Sequence, residues 1–210
     1  MHPVEVEKAL ETLTVIVDTR EQNTAAFRRR LKLIDFPSER HKLDFGDYSA
    51  KIVINGSDLS FERFFAIERK MSLDELCACY GRERARFQRE FERAREVGAK
   101  MYLLVENATM ENAFNGKYKS KLHRNALTAS IFAWLARYEC QLIFCKAEIT
   151  PRVMREIIYR EVKERLEIMD NSYFTNLLAF ENAKKDLEKK ALSAEEYQYE
   201  VRKLAEKYGI

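Results

Sequence analysis

The stretch Phe64-Phe65-Ala66-Ile67-Glu68-Arg69-Lys70-Met71-Ser72-Leu73-Asp74-Glu75 decides the reading of this chain. Its first seven residues run from apolar to charged and predict a strand over residues 64–70. Strand side chains alternate, so Phe65 and Ile67 share one face, Glu68 and Lys70 share the other, and Arg69 points away from that pair. Ser72 with Glu75 three positions on has the spacing of a helix N-cap with a capping box. A buried strand thus delivers charge to its C-terminal end and hands the chain to a helix, where α/β sheets place their chemistry.

The same arrangement recurs on either side. Leu13 to Val17 is an apolar, β-branched run that ends in Asp18-Thr19-Arg20-Glu21. Thr24 can cap a short helix through Leu33, and a turn at Pro37 leads to Gly46-Asp47-Tyr48. Ser49 to Ile54 reads as a strand closed by the turn Asn55-Gly56. A longer helix is expected from Gly81 to Val97, a strand from Lys100 to Val105 ending in Glu106-Asn107, a helix from Ala126 to Tyr138, a strand from Gln141 to Cys145, and a helix from Thr150 to Met169. Strands separated by helices in this way predict a central mixed sheet flanked by helices. Beyond Asp170-Asn171-Ser172 the composition turns to Lys, Glu, Ala, Leu and Tyr, which predicts a helical hairpin broken near Ser193. The expected division is therefore residues 1–169 as the main domain and 170–210 as a helical extension, either a solvated helix pair or a dimer-forming arm.

Composition excludes several classes. With 46% apolar and 34% charged residues, and only 6 Gly and 3 Pro in 210, the chain is neither collagen-like nor disordered. No apolar run is long enough to span a membrane, and the N-terminal residues lack a signal-peptide pattern, so a cytoplasmic protein is expected. The balance of 37 basic against 34 acidic residues, +3, is too mild to announce nucleic-acid binding, and any such argument must be local. Cys77, Cys79, Cys140 and Cys145 lack zinc-site spacing and read as buried free thiols. His41 and His123 have no partner ligand at metal-site spacing, and Trp134 falls in an apolar helix as core.

The acidic residues Asp18, Glu21, Asp47, Glu68 and Asp74, with Lys70 aligned beside Glu68, form the strongest constellation. Hard divalent cations take carboxylate oxygens and keep several waters, so carboxylates converging from separate strands suit Mg²⁺, and an ammonium beside one ligand can orient or help deprotonate an attacking water. That chemistry is phosphodiester hydrolysis. Taken alone, an Asp followed by Glu-x-Lys is more often a set of surface ion pairs than a site.

The full pattern has more information. Gly46-Asp47, a spacer, then Glu68-Arg69-Lys70, three residues and Asp74 resembles the signature of XPF-type nucleases within the PD-(D/E)XK superfamily. Val17 to Glu21, Gly81-Arg82, Phe87-Gln88 and the run Tyr102 to Glu106 continue the likeness, which covers roughly residues 13–165. The resemblance implies an α/β, restriction-endonuclease-like core that cuts branched, flapped or junction DNA with Mg²⁺ or Mn²⁺. It implies Asp47 and Glu68 as main metal ligands, Asp18 and Glu21 completing the acidic cluster with Asp18 as a third ligand, Lys70 positioning the nucleophile, and Arg69 and Asp74 supporting the motif. It also implies a homodimer or heterodimer through the nuclease domain. The glycine-bearing hairpins of the helix-hairpin-helix units that many members carry are missing, residues 170–210 holding glycine only at Gly209.

A catalytically silent DNA-binding or scaffold subunit is the alternative, although such subunits typically lose the acids kept here; an RNase or a sequence-specific restriction enzyme is a third reading. For DNA contacts the candidates are Arg20 and the basic loop of Lys117, Tyr118, Lys119, Lys121 and Arg124, with phosphates on the cations and an unpaired base on Tyr118. The arginine-rich helix from Gly81 to Val97 carries enough Glu to be a salt-bridged solvent face instead.

Overall fold

The structure is a computed structural model and describes residues 1–169 and 171–210; Asp170, where the expected extension begins, lies outside the described residues. Among these, a seven-stranded mixed sheet has the order β2-β1-β3-β5-β6-β7, with β4 paired to β3. Its strands are β1 (Thr14–Asp18), β2 (Ser38–His41), β3 (Tyr48–Ile54), β4 (Ser57–Ser60), β5 (Phe65–Lys70), β6 (Lys100–Glu106) and β7 (Gln141–Cys145). β5, β6 and β7 run parallel to one another, whereas β3 is antiparallel to β5.

The chain divides into two compact units. The larger comprises residues 14–50 and 61–158 and contains α2 (Ala25–Ile34), α3 (Leu73–Tyr80), α4 (Arg84–Glu96), α5 (Met110–Phe114) and α6 (Arg124–Tyr138). Its core packs α3, α4 and α6 on β5 and β6. Trp134 is fully buried among Tyr80, Phe87, Phe91 and Tyr138, with ring centroids 4.9 to 6.4 Å away. These rings supply most of the apolar area on this face, and edge-to-face pairs add specificity to it. Thr24 caps α2 by accepting the Phe27 N–H, as the sequence predicts. All four cysteines are buried and free.

The smaller unit comprises residues 1–13, 51–60 and 159–210. It holds α1 (Pro3–Leu10), the β3–β4 hairpin end, α8 (Asn171–Glu188) and α9 (Ala194–Tyr208). α7 (Thr150–Ile168) and β3 each contribute residues to both units. The hairpin break expected near Ser193 is an N-cap: Ser193 and Glu196 make a full capping box at the start of α9. α8 buries Phe174, Leu177, Phe180 and Leu187, and its Lys185 ammonium donates to Asp58 at the start of β4, 2.9 Å away.

Four elements escape a reading by periodicity, namely α1, α5, β2 and β4. β2 reads Ser-Glu-Arg-His and is an edge strand with no buried residue, while β4 buries only Leu59, so neither presents an apolar alternation. The capping box expected at Ser72 is half formed. Ser72 Oγ accepts the Glu75 N–H, but the Glu75 carboxylate turns back to the Met71 N–H, 2.7 Å away.

Candidate active site

Two strands bring the central acids together. Tyr48 of β3 lies opposite Ile67 of β5, which sets Asp47 beside Glu68. Gly46 makes that approach feasible: its φ is +71°, and a Cβ there would stand 2.7 Å from the Ala66 Cβ. The Asp47 N–H donates to the Ile67 carbonyl at 2.8 Å, and Asp47 Oδ2 accepts the Arg69 N–H at 2.8 Å. The Gly-Asp pair is therefore a backbone requirement followed by a carboxylate that clasps the next strand.

Glu68 and Lys70 share a face of β5, as alternation requires. Both are buried, and the Lys70 ammonium donates to Glu68 Oε1 at 2.5 Å while resting 5.4 Å from the centre of the Phe87 ring. Burial is the largest single influence on Lys70 and works to lower its pKa, but the charge and hydrogen bond of Glu68, with Cys79 and Asp47, together outweigh it, so the ammonium is held more firmly protonated than usual. Burial, and then the neighbouring Glu68, push the Asp47 carboxyl well above the usual range. The same two causes raise Glu90 of α4, which is 8% exposed and hydrogen-bonded to Arg20 Nη1 at 3.2 Å. Glu68 thus repels both Asp47 and Glu90 in a poorly solvated corner.

Asp18 serves its own chain. Its Oδ1 accepts the Arg20 N–H and Nε at 2.7 and 2.6 Å, and its Oδ2 accepts the Leu43 N–H at 2.7 Å. Three donors occupy this carboxylate, which is 1% exposed and fastens Arg20 and the segment around Leu43. Asp18→Ala leaves buried donors unpaired and is expected to cost about 3 kcal/mol, read as a lower urea midpoint. Lost cleavage at an unchanged midpoint would mark Asp18 as a direct ligand instead.

Glu21 and Arg69 belong to a second network. Glu21 Oε1 accepts from Tyr48 Oη at 2.7 Å and Arg30 Nη1 at 3.1 Å, with Arg69 Nη2 at 3.5 Å, while Arg69 Nη1 donates to Glu106 at 3.1 Å. Arg69 does point away from Glu68 and Lys70, and it braces the ends of three segments.

Asp74 is directed elsewhere. From the first turn of α3 its Oδ1 accepts the N–H groups of Lys119 and Ser120 at 2.7 and 2.6 Å. Tyr118 packs its half-buried ring against the core and donates to the Leu122 carbonyl at 2.8 Å, closing the loop on itself. Lys117, Lys119, Lys121 and Arg124 remain exposed. His123 caps α6 by accepting the Asn125 N–H.

The ERCC4 domain family model matches residues 17–150, a span that contains every one of these site residues. This chain belongs to the ERCC4 domain family. Among solved structures it is similar to XPF from Aeropyrum pernix, with 18% identity, a TM-score of 0.47, and coverage of 75% of this chain and 62% of that one. It is also similar to XPF from Aeropyrum pernix in complex with DNA, with 17% identity, a TM-score of 0.49, and coverage of 77% and 72%. The chain thus spans less than two thirds of the length of the first of them. No curated protein matches its sequence.

Whether the ERCC4 motif residues suit a divalent cation is a question of donor chemistry. Among the described residues no three His, Cys, Asp or Glu side chains form a ready-made cage. Mg²⁺ does not need one, because it is commonly held by one or two carboxylates while water and substrate phosphate complete its shell. Asp47 and Glu68 provide hard oxygens side by side, and after burial it is the Glu68 charge that raises the proton affinities of both Asp47 and Glu90. A cation would relieve that repulsion, so the donor set fits.

Glu90 and Glu106 are the acids that motif reading missed. Glu90 shares the buried stripe of α4 with Phe87, Phe91 and Ala94, and a carboxylate on an apolar helical stripe is the signal that marks it. Glu106 ends β6 at 6% exposure beside Arg69, and its signal is an acid at the C-terminal end of a buried parallel strand.

Proposed function

We propose that this chain is a divalent-metal-dependent DNA endonuclease acting on branched, flapped or junction DNA. The observation that carries the reading is the pairing of Asp47 and Glu68 across adjacent strands, with the Lys70 ammonium on Glu68. Membership of the ERCC4 domain family supports the assignment of this corner to phosphodiester chemistry. Asp47 and Glu68 are the residues that would hold Mg²⁺ or Mn²⁺. When bound, such an ion polarises a phosphoryl oxygen and activates water.

The remaining steps belong to the chain. Lys70 is locked as an ammonium, so it acts as a proton-bearing donor that orients the nucleophile and offsets negative charge developing on the phosphate, rather than as a base. Phe87 and Glu68 hold its Nζ in place. Asp47, which clasps the Arg69 N–H, fixes the distance between the two strands and thus the spacing of the two carboxylates. Arg20, 53% exposed at its side chain and anchored on Asp18 and Glu90, is the cation best placed to meet a phosphate entering this corner. Dimerisation is part of the proposal, and the exposed Phe114–Phe132 pair on α5 and α6, 6.2 Å between ring centroids, is an apolar surface open to it.

The test is incubation of purified protein with labelled duplex, flap, fork, four-way junction and single-stranded DNA, each in Mg²⁺, Mn²⁺ or EDTA. Cleavage near the branch in either metal and none in EDTA is the expected pattern; binding without cleavage under every condition would assign a silent subunit. The basic loop gives a second measurement. Changing Lys117, Lys119 and Lys121 to Ala is expected to weaken DNA binding and to flatten its dependence on log salt by up to about 0.9 for each phosphate that the variant no longer neutralises, and an unchanged slope would remove the loop from the interface.

A further inference from the structure

The turn from Lys70 into α3 bounds two different surfaces. On one side Glu75 Oε1 lies 4.0 Å from the Lys70 ammonium. On the other, Asp74 lines an open groove of about 690 Å³, formed with Cys77, Ala78 and Gly81 of the α3 end and with Lys119, Ser120, Lys121 and Leu122 of the basic loop, Arg82 completing the rim. We propose that this groove is a subsite for one unpaired nucleotide of the strand that leaves the reaction corner, and hence that it selects substrates with a single-stranded arm; the inference deepens the nuclease reading and rests on it.

The lining has the composition such a ligand requires. Arg82, Lys119 and Lys121 are set against a single carboxylate, that of Asp74. That carboxylate turns its Oδ1 to the N–H groups of Lys119 and Ser120, and the three side-chain cations outnumber it. Arg82 is 80% exposed at its side chain, 3.6 Å from its neighbour Glu83, and the two lysines are exposed. Three cations are therefore available on the rim for phosphate oxygens.

Between them lies an apolar floor of Cys77, Ala78 and Leu122. A duplex keeps its base faces stacked inward and has no use for such a floor, whereas an unpaired base can lay its face on one. Charge complementarity thus selects nucleic acid, and the floor selects the single-stranded form.

Asp74 acquires a role in this arrangement. It does not reach toward Asp47 or Glu68; it fixes the backbone of the loop and so sets where Lys119 and Lys121 stand. We assign it as a positioning residue that joins the Glu68-Arg69-Lys70 segment to the strand subsite, and this explains an acid four residues after Lys70 without requiring it to touch the reacting atoms. The conservative variant Asp74→Asn keeps an acceptor for the two N–H groups, whereas Asp74→Ala does not.

Fluorescence anisotropy in EDTA tests the groove apart from the chemistry. Labelled oligothymidylate, blunt duplex and a fork with one single-stranded arm are titrated with wild type, Arg82→Ala/Lys121→Ala, and Ala78→Glu, the last placing a carboxylate on the floor at a half-exposed helical position that favours Glu. Both variants are expected to lose tenfold or more affinity for the oligothymidylate and the fork and under threefold for the duplex. The double variant should flatten the single-strand salt slope by about 0.7 for each phosphate left without its cation, and Asp74→Ala should follow it in raising KM at little changed kcat, with Asp74→Asn partly restoring the wild-type value. Equal losses on all three DNAs, no loss, or wild type that binds none of them would overturn the subsite. Metal-dependent cleavage by wild type read alongside separates the two readings: branch cleavage with an indifferent groove removes the subsite alone, and absence of any cleavage removes the nuclease.

Discussion

Asp47→Asn is expected to lower the cleavage rate by about a thousandfold or more, since it withdraws several kcal/mol of metal-borne stabilisation and each 1.36 kcal/mol is a factor of ten. In EDTA the same variant is expected to melt higher than wild type. The Asp47 carboxyl is raised in the folded protein by burial and then by Glu68, so its contribution to stability is complete below its unfolded pKa and is lost as pH climbs through the folded value. At neutral pH the charged form therefore opposes folding, and the amide removes the opposition. Each kcal/mol or so of relieved repulsion moves Tm by roughly 2–4 °C in a chain of this size. Saturating Mg²⁺ should reverse the order, stabilising wild type by about 2.7 kcal/mol at a hundredfold excess over Kd and the variant by much less. Thermal scans at pH 5 and pH 7.5, with and without Mg²⁺, read both signs, and a variant that melts below wild type in EDTA at pH 7.5 would falsify the account of a repulsive acidic corner.

Lys70→Met is expected to damage the protein twice. Glu68 is 3% exposed, and the ammonium on its Oε1 is the cation that accounts for its burial. Removing one partner of such a pair leaves a buried charge uncompensated and costs about 3–5 kcal/mol. The methionine keeps the length of the stem and its packing near Phe87, so volume is not the cause. Adding Glu68→Gln should recover much of the lost stability by removing the charge. Cleavage by the single variant, measured well below its own melting temperature, should fall by about a hundredfold or more because no donor remains to orient the nucleophile. If the double variant is as unstable as the single one, the pair is not what the mutation broke; if the folded single variant cuts at the wild-type rate, the lysine is outside the mechanism.

Much of the site could be read in advance because it sits on strands. Alternation placed Glu68 and Lys70 on a common face and turned Arg69 away, and the hydrogen bonds follow that split, Lys70 to Glu68 and Arg69 to Glu106. Glu90 and Glu106 escaped because each meets its neighbours through space: Glu90 from α4, which the sequence read as a solvent face, and Glu106 from the C-terminal end of β6. Tyr118 shows the converse limit, since composition offered it to a base while packing ties its hydroxyl to Leu122 and its ring to the core.

Periodicity and local chemistry by themselves determined the alternation of strands and helices, the strand-borne Glu68 and Lys70, the cap at Thr24 and the break at Ser193, since each depends on residues within a turn or two of one another. Only the tertiary structure decided what each acid does. Asp18, Glu21, Asp47, Glu68 and Asp74 are alike as letters, but three N–H donors consume the first, arginines and Tyr48 hold the second, the next two repel each other with Glu90 beside them, and the last fastens a loop 45 residues downstream. A carboxylate's function is set by the donors and charges within a few ångströms, and those come from segments that only folding brings together.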